Sequence, residues 1–187
     1  RANIKGKSEK LIVGYVGRLA NEKRLDDLAI LDKYDDIQLV IVGDGPAAPR
    51  FKKELPNAHF VGYQSGTELA RYVASFDIFV HTGKHETFCQ SVQEALASGV
   101  PVIAPNFGGP TDLVKHGWTG YLIDTENSYS LNHAVNQILQ LAEPALMGAR
   151  ARESVIERTW LSVNNQLISH YTDLIAVKSE EAGVRVA

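Results

Sequence analysis

A chain of 187 residues, 44% of them apolar, is long enough to bury one sizeable core without an external staple. Its single cysteine, Cys89, excludes an internal disulfide and a multi-thiolate zinc cluster, and makes a reducing, cytoplasmic compartment the expectation. The formal charge of −3 is mixed along the chain, with no basic stripe for a nucleic-acid partner, and no apolar run nears the roughly 20 residues that cross a bilayer.

In chain order, the polar stretch 1–10 reads as a linker from a missing N-terminal domain. Apolar, β-branched runs then predict strands at Leu11–Val16, Leu39–Val42, His59–Val61, Ile78–His81, Val102–Ala104 and Tyr121–Ile123. Between them, helical periodicity covers Arg24–Tyr34, Ala47–Leu55, Gly66–Phe76, Phe88–Ser98 and Pro110–Lys115, with Gly/Pro turns at residues 43–46, 99–101 and 108–110. After Asp124 only helices follow: Ser128–Ala142, Ala145–Glu157 and Trp160–Lys178, the first two separated by Pro144. Strands alternating with helices argue for an α/β domain: a Rossmann-like, parallel six-stranded sheet in the order 3-2-1-4-5-6, helices on both faces, and a helical C-terminal segment. The domain is expected to span residues 11–178, with 179–187 a frayed tail.

The densest chemistry lies in His85-Glu86-Thr87-Phe88-Cys89-Gln90-Ser91-Val92-Gln93-Glu94-Ala95, followed by Leu96-Ala97-Ser98-Gly99-Val100-Pro101-Val102. A helix beginning near Phe88 would turn Phe88, Val92 and Leu96 to the core and Thr87, Ser91 and Glu94 to a cleft. Eight residues of helical rise would separate Glu86 from Glu94 by about 12 Å. The free amides of the first turn, with the positive end of the helix dipole, attract an anion, and a diphosphate suits that place. One carboxylate would then accept from hexose hydroxyls and the other from ribose hydroxyls.

This stretch resembles the C-terminal domain of retaining family 4 glycosyltransferases of the GT-B fold, whose glutamate-seven-residues-glutamate motif is matched by Glu86 and Glu94. A second block, Val16-Gly17-Arg18-Leu19-Ala20-Asn21-Glu22-Lys23, follows the first strand as that family's Gly-Arg and Glu-Lys pairs do. The resemblance covers roughly Leu11 to Asp124. It implies that Gly17, Arg18 and Lys23 meet the donor diphosphate, with Arg18 and Lys23 stabilising the leaving group without a metal or cofactor. It further implies that Glu86 positions the sugar and Glu94 the ribose, that amides at Phe88, Cys89 and Gln90 complete the anion site, and that the segment around Val61 meets the base through its backbone. Arg18, Lys23 and Glu86 are thus the catalytic candidates. Cys89 and Gln90 depart from the usual glycine and aliphatic residue, and Thr-Phe-Cys-Gln resembles bacterial mannosyltransferases that use GDP-mannose. GDP-mannose is the first choice of donor and a UDP-sugar the second.

The implied enzyme is a hexosyltransferase, of which this chain would be an inactive half. The acceptor carbohydrate or glycolipid, and any peripheral contact with a membrane, would belong to the missing N-terminal domain. Two other readings stay open: a non-catalytic nucleotide-binding or regulatory domain, and an NAD-dependent oxidoreductase. Gly43-Asp44-Gly45-Pro46-Ala47-Ala48 formally fits a dinucleotide fingerprint, but it follows the second strand and no acidic residue closes the next one, so we read it as a structural turn. His81 and His85 are four apart across a strand end and a loop, not on a helix, and are not taken as a metal pair. Cys89, at a helix N-terminus, has no recognisable His and Asn partners for nucleophilic chemistry and reads as a small residue beside a ligand. Trp118 and Trp160 read as packing anchors.

Overall fold

The computed structural model of the chain describes residues 10–181, with side chains to 178. Six strands, β1 (Leu11–Val16), β2 (Ile37–Val42), β3 (His59–Gly62), β4 (Ile78–Val80), β5 (Val102–Pro105) and β6 (Gly120–Ile123), form one sheet in the order β3-β2-β1-β4-β5-β6. Every pairing is parallel. Registers run from Leu11 opposite Ile37 to Val16 opposite Val42, and slip between Ile41 and Val42 against β3. The class, strand order and helical C-terminal segment expected from the sequence are those observed.

The strands are apolar throughout because both faces are covered, and their period of two deals alternate residues to two cores. Val13, Tyr15, Leu39 and Ile41 pack on one face with Leu25, Leu28, Leu31, Phe51, Leu131 and Val135. Ile12, Val40, Val42 and Val102 pack on the other with Phe76, Val92, Leu96, Ala151 and Val155.

The helices are α1 (Ala48–Glu54), α2 (Gly66–Val73), α3 (Gln90–Ala97), α4 (Pro110–Leu113), α5 (Ser130–Leu139), α6 (Pro144–Val155) and α7 (Trp160–Glu181). Two differences from the sequence reading have physical causes. The segment expected as an α-helix from Arg24 is 3-10 over Leu25–Lys33. Its buried Leu25, Leu28 and Leu31 recur every third residue, the period of a 3-10 turn, so tighter winding keeps all three on the sheet. Pro144 opens α6 at its first position, where the missing N–H costs nothing, instead of standing outside it.

Of the described residues, those up to Val155 form one compact unit and those from Ile156, containing α7, a second. The expected linker, apart from Lys10, and residues 182–187 of the expected tail lie outside the described residues. Trp118 is half exposed beneath the Arg150 guanidinium, 3.7 Å from its ring centroid, and so serves a surface cation–π contact where core packing was expected.

Candidate functional site

In a parallel sheet all strands end on one edge, and here the strand order reverses between β1 and β4, which is where open α/β sheets leave a crevice. The loop after β1 carries Gly17, Arg18 and Lys23; the loop after β4 carries His81 through Cys89. The candidate residues nearest in sequence to these strands therefore face one another across the switch point.

Lys23 Nζ pairs with Glu86 Oε1, a contact between residues 63 positions apart, both side chains largely buried. A turn and two hydrogen bonds set it up. Lys23 ends a 3-10 turn, Asn21–Lys23, and is followed by Arg24 in the left-handed region at φ 53°. The hydroxyl of buried Thr82 donates to the Lys23 carbonyl at 2.6 Å, tying the β4 loop to the β1 loop. On the far side, the Gly109 N–H donates to the Glu86 carbonyl at 2.8 Å. A Cβ at Gly109 would stand 2.7 Å from the Thr87 carbonyl oxygen, so the β5 loop seats directly under residues 86–88.

Behind Glu86 lies His81, 3% exposed, its Nε2 3.4 Å from Glu86 Oε1 and its ring parallel to Tyr15 at 6.4 Å between centroids. Neither ring nitrogen makes a hydrogen bond. Burial opposes the imidazolium, but the adjacent Cys89 sulfur and Glu86 carboxylate outweigh it and lift the His81 pKa to about 9. Glu86 is held at about 2, first by His81 and, against the pull of burial, by Lys23. Burial, reinforced by the Glu86 charge, pushes the Tyr15 phenol up, so it stays neutral. The cluster thus sets the Glu86 carboxylate between Lys23 and His81.

The helix after this loop begins later than its sequence suggests. α3 starts at Gln90, and Cys89 precedes it in the left-handed region at φ 64°, ψ 67°. Phe88 consequently lies outside the helix and is 44% exposed, whereas Val92 and Leu96 are fully buried as expected. Residues 86–89 are not helical, so the 12 Å helical rise expected between Glu86 and Glu94 does not apply. Cys89 pays for its Cβ: left-handed backbone costs a non-glycine residue roughly 1–2 kcal/mol. That cost explains why glycine suits this position elsewhere. Of the first-turn amides of α3, that of Val92 donates to the Cys89 carbonyl at 3.0 Å, and those of Gln90 and Ser91 are the ones for which the helix supplies no carbonyl.

The remaining sequence candidates are dispersed. Arg18 is well exposed and pairs with Glu22 on its own loop, Nη2 to Oε1 2.7 Å. Glu94 lies one turn into α3, where Gln90 Nε2 donates to its Oε1 at 3.0 Å. Val61 sits on β3, beside Gly62, whose carbonyl accepts from Gly43 N–H at 2.8 Å. His85 is exposed and meets Phe107 edge-on, away from the buried His81. The Gly43–Ala48 turn has no room for a ligand: Leu19 N–H donates to the Asp44 carbonyl, Ala47 N–H to that of Leu19, and a Cβ on Gly43 (φ 141°) would lie 1.9 Å from the Gly17 carbonyl oxygen. Backbone of the β1 loop fills it, as a structural turn requires.

Sequence reasoning missed His81 as a partner of Glu86, and missed Gly83, where a Cβ would come within 3.1–3.3 Å of His81 Nε2, Glu86 Oε1 and Lys23 Cδ. The available signal was the pair of chemistry-bearing residues, His81 and Thr82, directly after a strand at the switch point.

A doubly wound parallel domain with a cation-rich crevice at its switch point and a helix N-terminus beside it is a nucleotide-binding architecture. Residues 1–154 match the family model "Glycosyl transferases group 1", and the chain belongs to that family. It is 51% identical over 172 residues to a GDP-mannose-dependent alpha-mannosyltransferase of Mycolicibacterium smegmatis, covering 91% of this chain and 45% of that protein. A GDP-mannose-dependent alpha-mannosyltransferase of Corynebacterium glutamicum is 49% identical over 169 residues, covering 90% and 41%. The chain thus spans less than half the length of these curated relatives. Among solved structures, sucrose-phosphate synthase from Thermosynechococcus elongatus superposes with a TM-score of 0.78 at 28% identity, over 90% of this chain and 46% of that one. Anabaena HepE in complex with UDP-glucose superposes at 0.81 with 22% identity, over 92% and 51%, a likeness of fold alone. The domain is one half of a GT-B fold.

Proposed function

We propose that this chain is the donor-binding half of a retaining hexosyltransferase that takes mannose from GDP-mannose. The observation that carries the reading is the Lys23–Glu86 pair, held at the sheet's switch point in the loop that leads into the N-terminus of α3. A cation that neutralises Glu86 in the free protein is positioned to move onto the diphosphate, while the released carboxylate accepts from sugar hydroxyls. Arg18 has a solvent-exposed partner that it gives up at little cost, since water screens an exposed ion pair. It then joins Lys23 on the leaving group. Glu94 turns from Gln90 to the ribose, and the backbone near Val61 meets the base. Mannose is favoured by the near-50% identity to GDP-mannose-dependent enzymes.

No side chain in the crevice serves as general base. The acceptor hydroxyl would pass its proton to the departing phosphate on the same face of the sugar, giving retention; an inverted anomeric centre in the product of the full enzyme would overturn this. The acceptor would belong to the other half, and the lone thiol fits a reducing cytoplasmic setting. Calorimetric titration of the chain with GDP-mannose, UDP-glucose and ADP-glucose tests the donor. GDP-mannose is expected to bind tightest, and Glu94→Ala to weaken it by about tenfold, or about 1.4 kcal/mol. Binding of NAD and of none of the three nucleotide sugars would overturn the proposal.

A further inference from the structure

His81, Glu86 and Cys89 do something the donor reading does not use: they bring a ring nitrogen, a carboxylate oxygen and a sulfur within 4.8 Å of one another. The imidazole is buried with neither nitrogen hydrogen-bonded, and Cys89 is buried with its sulfur making a long contact, Sγ to Ser91 Oγ at 3.9 Å. A buried imidazole without a hydrogen bond is costly, and once a metal displaces its proton the freed lone pair faces a soft sulfur and a hard carboxylate. We propose that His81, Glu86 and Cys89 form a three-ligand site for zinc or a similar borderline-soft divalent cation, its fourth position open to the crevice.

The donor set is one that zinc accepts, with bond lengths of about 2.0–2.3 Å that place tetrahedral ligand atoms about 3.4–3.7 Å apart. His81 Nε2 and Glu86 Oε1, 3.4 Å apart, already stand at that separation, so the sulfur is what closes in, by at most about 1 Å. Cys89 contributes its sulfur from the left-handed residue that precedes α3. Lys23 is displaced from Glu86 by the metal, a move its flexible stem permits. Glu86 then cannot serve a sugar, so the cation and the donor exclude each other; that consequence, unlike the site, rests on the function proposed above.

Cobalt is the probe, because a thiolate–cobalt bond absorbs strongly in the near ultraviolet and Cys89 is the only cysteine in the chain. The reduced chain titrated with cobalt is expected to develop that band to a stoichiometry of one. Cys89→Ser should abolish it, and His81→Gln should weaken apparent affinity at least tenfold. Because either variant could unfold, the unaltered chain is also alkylated with iodoacetamide, and one equivalent of zinc is expected to slow modification of Cys89 at least tenfold. Absence of the band, or alkylation indifferent to zinc, overturns the site. Zinc should also weaken GDP-mannose binding to the unaltered chain more than to Cys89→Ser. If the band forms but GDP-mannose binds equally with and without zinc, the metal site stands and the assignment of Glu86 to the donor falls.

Discussion

Lys23 and Glu86 illustrate how much a single pair does when burial and position act together. Both side chains are mostly withdrawn from water, so their pairing is screened far less than that of Arg18 and Glu22 on the surface. Lys23→Ala removes the cation meant for the diphosphate and leaves Glu86 facing the crevice with only His81 beside it. GDP-mannose binding by calorimetry should weaken at least tenfold, about 1.4 kcal/mol, and more than with Arg18→Ala if Lys23 is the principal contact. Glu86→Gln keeps the shape but loses the charge. In the full-length enzyme it should lower kcat/KM by about a hundredfold, about 2.7 kcal/mol, as measured with saturating acceptor. At Cys89 the issue is backbone: a β-branched side chain fits the left-handed region worse still, so Cys89→Val should destabilise the chain by about 1–2 kcal/mol in a urea titration.

Elements meet in this domain where side chains are absent, and two glycines show opposite consequences of that. Gly109 lets the β5 loop lie against the loop carrying Glu86, with Thr87 O and Phe88 Cα within 2.7–2.8 Å of where a Cβ would stand. Gly148 lets α6 lie on the end of α3, with the Gly99 carbonyl oxygen 2.4 Å from the same construction and Arg152 bonding the Ala97 carbonyl. In both cases the obstacle is backbone, so an added methyl must push elements apart, at a typical cost of about 1–3 kcal/mol. Gly109→Ala and Gly148→Ala should therefore lose similar stability by urea titration. Only Gly109→Ala should also weaken GDP-mannose binding, because it alone bears on residues 86–88. Equal binding by the two variants would detach the β5 loop from the site.

For the molecule as a unit, both core clusters are made of residues between Val13 or Ile12 and Val155. Burying that apolar surface is what holds the sheet and its helices together, so a chain ending at Val155 should keep one cooperative unfolding transition by calorimetry. A broad, non-cooperative melt would show that residues 156–187 complete the core. The same cores explain why the crevice has a fixed shape: the two strands that flank the switch point, β1 and β4, are buried on both faces, and the loops that leave them inherit that rigidity.

The α/β class, the six strands and their order could be read from the chain because strand and helix periodicities are local properties and parallel crossovers leave few topologies. Glu86 and Glu94 could be picked out because their spacing and the Ala-Ser-Gly-Val-Pro-Val tail occur within one short stretch. Other features were set by contacts between distant segments. The 3-10 winding of Leu25–Lys33 answers to the sheet beneath it, and the late start of α3 answers to Cys89 turning left-handed just after residues 86–88 seat on the β5 loop. His81 gained its meaning only when the switch point put Lys23, 58 positions earlier in number, and Glu86 around its ring. A titratable group's chemistry depends on its desolvation and on charges within a few ångströms, and neither is written in the residues next to it.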